Sequence, residues 1–122
     1  MSREIKFRVW YTDEKIMLSH EEVDASDKDG VIMWGDIFNK DKHLNVEIMQ
    51  FTGLCDKNGK EIYEGDICVN EFPGTFNGII VYCAPEWNLK AIKSGNYWDI
   101  TVGHLEIIGN IYENGELMEA TQ

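Results

Sequence analysis

The sequence predicts a mainly β fold, a small single-domain barrel or sandwich of short antiparallel strands spanning residues 1–122. Three observations carry that expectation. Apolar and polar residues alternate with period two near the start of the chain, turn-forming residues recur about every ten positions, and no window shows a long, capped helix of 3.6-residue period. An α+β fold with one short helix is the alternative.

Ile5, Phe7, Val9 and Tyr11 alternate with Lys6, Arg8 and Trp10, the pattern of a half-buried strand. Thr12–Lys15 then turns, and Ile16–Leu18 returns as the hairpin partner. Ser19 to Gly30 is polar and acidic and closes on Asp29-Gly30, a tight-turn pair. Val31 to Trp34 is a short strand candidate, and Gly35 to Asn45 reads as a loop with room for one helical turn. Val46, Ile48 and Met49 restore apolar spacing. Asn58-Gly59 separates the run Met49–Leu54 from the run beginning at Lys60, a strong hairpin signal because both residues tolerate left-handed backbone angles. Ile67–Glu71, Gly78–Cys83, Trp87–Ile92 and Leu105–Tyr112 follow as strand candidates, separated by Pro73-Gly74, Ala84-Pro85-Glu86 and Lys93–Gly95.

A chain of 122 residues can bury about two thirds of its unfolded surface. With 43% apolar residues and four Trp, it carries too much sticky surface to stay disordered. The 22 acidic against 11 basic residues leave a net charge of −11. Direct binding to a nucleic-acid backbone is therefore disfavoured. Cys55, Cys68 and Cys83 are odd in number and widely spaced, which argues against a disulfide framework and for a reducing cytoplasm. The start of the chain lacks the apolar stretch of a signal peptide. No apolar run approaches the roughly 18 to 20 residues that span a bilayer. Localisation in the cytoplasm without membrane contact is the expectation.

Motifs that carry chemistry are incomplete. Asp27-x-Asp29-Gly30 and Asp56-x-Asn58-Gly59 echo the middle of a calcium-binding loop, but each lacks one or both end ligands and reads as a turn. His20, His43 and His104 have no metal-binding spacing and read as solvated loop residues. Cys68 and Cys83 sit in apolar runs, where a thiol acts as a small hydrophobe, while Cys55 beside a turn is a candidate for exposure. The acids Glu21, Glu22, Asp24, Asp27, Asp29, Glu61 and Glu64 read as solvated surface. No nucleophile motif or phosphate-cradling loop is present. No catalytic residue, metal or cofactor is expected, and an enzyme is the disfavoured reading. Aromatic residues are the surplus, and Trp87, Tyr97 and Trp98 are singled out as candidate partner-binding anchors.

The stretch Met49-Gln50-Phe51-Thr52-Gly53-Leu54, followed by Asp56 to Ile67 (DKNGKEIYEGDI), resembles the YopX-like family of small bacteriophage and prophage proteins. Arg3 to Trp10 looks like that family's opening strand, and Glu106 to Asn114 like its closing one. Residues 19–45 and 72–104 do not carry the resemblance, and Cys55 departs from the polar residue expected there. The resemblance implies a phage or prophage protein in a bacterial cytoplasm, with a mainly β fold, and it supplies no activity.

Within the matching stretch Gly53, Asn58, Gly59, Gly65 and Asp66 read as turn-makers, with Asp66 accepting backbone N–H bonds at a bend. The leading functional expectation is a non-catalytic protein-binding or assembly module with an unknown protein partner, and self-association into a homo-oligomer is open. The alternative is an acidic mimic of nucleic acid that blocks a host or phage DNA- or RNA-binding protein.

Overall fold

The computed structural model describes residues 5–71, 74–100 and 102–119. Arg3 and Glu4 of the expected opening strand, and Pro73 of an expected turn, lie outside the described residues. The fold is α+β, with two α-helices and two antiparallel sheets, and not a purely β barrel or sandwich. The chain divides into two compact units, Lys6–Gln50 and the part from Phe51 onward.

In the first unit β1 (Phe7–Tyr11) is central, pairing on one side with β2 (Ile16–Leu18) and on the other with the first half of β3 (Val46–Cys55). Val9 lies opposite both Leu18 and Ile48, so one face of the sheet is continuous and apolar. That face is covered by α1 (His20–Lys28) and α2 (Trp34–Ile37), where Val9, Val23 and Ile37 form the core. Each such aliphatic side chain contributes about 1.5–3 kcal/mol when fully buried.

Helix α1 replaces the acidic loop expected over Ser19–Gly30. Its start is a capping box: the Glu22 N–H donates to Ser19 Oγ at 3.1 Å, and the Ser19 N–H donates to Glu22 Oε1 at 2.8 Å. Two orphan N–H groups are thereby satisfied, and Glu21 and Glu22 complement the helix dipole. Its end comes at Asp29 and Gly30, the latter at φ +70°. The strand expected over Val31–Trp34 is instead a bend running into α2, because its backbone bonds are taken locally. The Ile32 N–H donates to Ser26 Oγ and the Trp34 N–H to Asp27 Oδ2, each at 2.9 Å.

The second unit begins with the second half of β3, which pairs with β4 (Glu61–Tyr63). A five-stranded antiparallel sheet follows, ordered β8-β7-β6-β5-β9. Its strands are β5 (Asp66–Asn70), β6 (Phe76–Cys83), β7 (Glu86–Ala91), β8 (Tyr97–Asp99) and β9 (Leu105–Asn110). Ile62, Cys68, Ile80, Leu89 and Leu105 form its core. Strand β8 falls in a stretch for which no strand was expected, and β9 stops at Asn110, two residues short of the expected Tyr112.

The β3–β4 connection differs in detail from the two-residue turn that Asn58-Gly59 suggests. Only Gly59 takes a positive φ, +84°, and the turn Asp56–Gly59 is closed by the Gly59 N–H on the Asp56 carbonyl at 2.9 Å. The flanking Asp56 N–H donates to the Lys60 carbonyl at 2.8 Å, giving a three-residue loop with a left-handed glycine.

Between β4 and β5 the chain turns through Glu64-Gly65, with Gly65 buried at φ +87°. Here the Tyr63 N–H donates to Asp66 Oδ2 at 2.7 Å, the Gly65 N–H to the Ile80 carbonyl at 2.9 Å, and the Ile111 N–H to the Gly65 carbonyl at 3.0 Å. A Cβ at that φ is strained, so Gly65→Ala is expected to cost about 1 kcal/mol or more. Glu64→Gln should change stability by less than about 0.5 kcal/mol. Chemical denaturation of both variants checks the pair, and equal midpoints would remove the special role of the glycine.

Candidate functional site

Strand β8 forms one edge of the five-stranded sheet and takes its position from the β7–β8 turn. The Ala91 N–H donates to the Asn96 carbonyl and the Gly95 N–H to the Ala91 carbonyl, both at 2.8 Å, with Gly95 at φ +76°. Tyr97, Trp98 and Asp99 then pair with Lys90, Leu89 and Asn88. Among the described residues, no backbone hydrogen bond joins the outer side of β8 to any further segment.

Large aromatic side chains stand on this open edge. Tyr97 is 56% exposed and Trp98 42% exposed. The Lys90 Nζ lies 5.6 Å above the Tyr97 ring, a cation–π contact, and the Trp98 ring lies 5.6 Å from that of Phe76. A recess of about 480 Å³ opens beside Trp98, lined also by Phe76, Ile92 and Leu117. A second recess of about 440 Å³ lies at the other end of β7, between Leu54, Pro85, Glu86, Trp87 and Asp99. Trp87 is half-buried against Tyr82, 4.9 Å between rings, and its indole N–H is buried with no hydrogen-bond acceptor among the described residues. Of the three aromatic residues singled out by sequence, Tyr97 and Trp98 are therefore exposed and Trp87 is half-buried, while Trp98 and Trp87 each line a recess.

The opposite edge of the sheet is sealed. There the Ile107 N–H of β9 donates to Asp56 Oδ2 at 3.0 Å, and the Lys57 N–H donates to the Leu105 carbonyl at 2.9 Å. Asp56 also accepts the Asn58 and Lys60 N–H groups on Oδ1, each at 2.9 Å. Burial alone would raise its pKa, but the Ile107, Lys60 and Asn58 N–H groups, helped by the Lys60 charge, hold it below the ordinary carboxylate value. The Lys57 ammonium bridges Glu71 at 2.9 Å and Glu106 at 3.6 Å.

The remaining candidates are dispersed. Cys68 is buried, and burial, with Asp66 nearby, pushes its thiol far above the usual range. Cys83, expected inside, is exposed, because it ends β6 opposite Glu86 where the hairpin projects beyond the core. Thiol labelling of the native protein should therefore modify Cys83 and spare Cys68 until unfolding, as mass spectrometry of the peptides would read. Modification of native Cys68 at the rate of Cys83 would contradict this packing.

His20 is not a loop residue: it opens α1, accepts the Phe7 N–H on Nδ1 at 3.1 Å and lies against Trp34. Among the described residues no group of three or more His, Cys, Asp or Glu is placed to hold a metal ion. Gly53, at φ +87°, sits at the irregularity between Phe51 and Cys55 in the β3–β4 pairing. No helix is long and apolar enough to cross a membrane among the described residues.

Comparison with known proteins decides the relationship. The YopX protein family matches residues 6–119. The chain belongs to the YopX family. It is thus a YopX-like phage or prophage protein, and the match runs through segments 19–45 and 72–104 that the short motifs left uncovered. Protein EF1440 from Enterococcus faecalis, known from a crystal structure, is 25% identical, with a TM-score of 0.65 over 96% of this chain and 99% of its own. Among curated proteins none matches this YopX-family chain.

Proposed function

We propose that this YopX-family protein acts without catalysis, as an acidic mimic that occupies the nucleic-acid-binding surface of a host or phage protein. One observation carries the reading: from Ser94 to the end of the chain there is no Lys or Arg, while Asp99, Glu113, Glu116 and Glu119 stand exposed. Glu116 and Glu119 lie three residues apart at the turn of 3₁₀-helix Gly115–Met118, where that spacing brings side chains to the same side. The same charge that repels a nucleic-acid backbone steers a cationic partner. In this proposal the whole chain functions as one domain in the bacterial cytoplasm.

The test is capture from host lysate at low salt, followed by elution with duplex DNA or with raised salt. Nucleic-acid-binding proteins should be captured, DNA should release them, and the triple variant Glu113→Gln, Glu116→Gln, Glu119→Gln should capture less. Capture indifferent to salt and DNA would defeat the reading, since attraction between exposed charges is screened within about 8 Å at physiological salt.

A second reading, a protein-binding or assembly module with self-association open to it, is favoured by the open β8 edge and its exposed aromatics. Unpaired sheet edges bind other strands. Light scattering across a concentration series separates self-association from a monomer that awaits a different partner.

A further inference from the structure

The geometry points to the outer edge of β8 as the docking site for an extended, basic segment of a partner protein, which adds as a further strand of the five-stranded sheet. This rests on the second reading above, and it names the partner's chemistry.

Four observations support it. The two edges of the sheet are treated oppositely. Asp56 and Lys57 occupy the β9 edge with hydrogen bonds of 3.0 and 2.9 Å, whereas the outer side of β8 has no backbone partner among the described residues. The edge strand is short, three residues, and its Tyr97 and Trp98 side chains stand exposed where an incoming strand would meet them. The recesses beside Trp98 and Trp87 could receive side chains of an incoming strand, as alternate pockets do when a strand adds to a sheet. The charge is directional along the edge: Glu86 and Asp99 are exposed beside the second recess, whereas Lys93 lines the first and Lys90 lies over the Tyr97 ring. A basic side chain beside the second recess meets two carboxylates.

A capped peptide of alternating valine and arginine is the probe, titrated into the full-length ¹⁵N-labelled protein at physiological salt. Backbone signals from Tyr97 to Ile100 and the indole signal of Trp87, assigned with Trp87→Phe, should shift. The outward amides of β8 should exchange more slowly with solvent. Replacing the valines by proline keeps the charge but removes backbone donors, and should weaken binding at least about tenfold. Asp99→Lys with Glu86→Lys should weaken it by a similar factor, with an unchanged melting temperature showing that the fold survives. Glu113→Gln, Glu116→Gln and Glu119→Gln together should leave it unaltered, so the docking proposal and the mimic proposal fail separately. Equal binding of the proline peptide, shifts confined to residues outside 97–100, or no binding at all would each overturn the assignment.

Discussion

Asp56→Ala is expected to destabilise the protein by about 2–4 kcal/mol, since a buried donor left without its acceptor costs about 1–3 kcal/mol and two further backbone N–H bonds go with it. Asp56 is only 5% exposed, and its carboxylate serves Asn58, Lys60 and Ile107 together. Water can replace it at the exposed Asn58 and Lys60, so most of the loss falls on Ile107 in β9. Asp56→Asn should also be destabilised, because one side of its amide is a donor and cannot accept. Urea denaturation of the three proteins checks the order, and a midpoint for Asp56→Ala within error of the parent would show that the β9 edge is held by other means.

The same residue predicts an acid response. Its folded-state pKa lies below the ordinary carboxylate value, so it adds stability that is fully present above the unfolded-state value, about pH 4. That stability is lost as pH falls through the lowered folded-state value. The stability gap between parent and Asp56→Asn should therefore be constant at neutral pH and narrow below about pH 4. A gap that widens on acidification would reverse the sign assigned to this carboxylate.

Leu89→Ala is expected to cost about 2–5 kcal/mol, as for other fully buried leucines. Its neighbour on β6 adds a more discriminating test. A Cβ placed on Gly78 would lie 2.6 Å from Leu89 Cγ, 2.8 Å from Leu89 Cδ1 and 3.1 Å from the Lys90 carbonyl oxygen. Gly78→Ala should therefore overpack the sheet and cost about 1–3 kcal/mol. In the double variant the new methyl enters space vacated by Leu89, so the combined loss should be smaller than the two single losses added. Strict additivity in a thermal denaturation cycle would mean that the strain at Gly78 comes from the Lys90 backbone.

Tryptophan exposure is where sequence reasoning stopped short. Trp10 is buried, Trp34 packs on His20 and Phe38, and Trp87 and Trp98 differ in surroundings although both lie on the β7–β8 hairpin. Strand alternation cannot rank them, because exposure depends on which neighbouring elements cover each face. Nor could the edge position of β8 be read locally, since its three residues are too few to show a period.

The features legible from the chain alone are local and dense in signal: hairpin β1–β2, the glycine-closed turn after Asp56 and the bend at Gly65 follow from adjacent residues whose backbone preferences agree, and the family relationship from the motifs those residues form. Helix α1 was also encoded locally, in Ser19 and Glu22, but its acidic composition masked a capping box four residues long. Which sheet edge Asp56 binds, which edge stays open, and why Cys83 is exposed while Cys68 is not are set by the assembled sheet. Those outcomes depend on contacts between segments as distant as Asp56 and Ile107. Such long-range pairings are fixed by packing of the whole sheet, and no pattern in either short segment announces its partner.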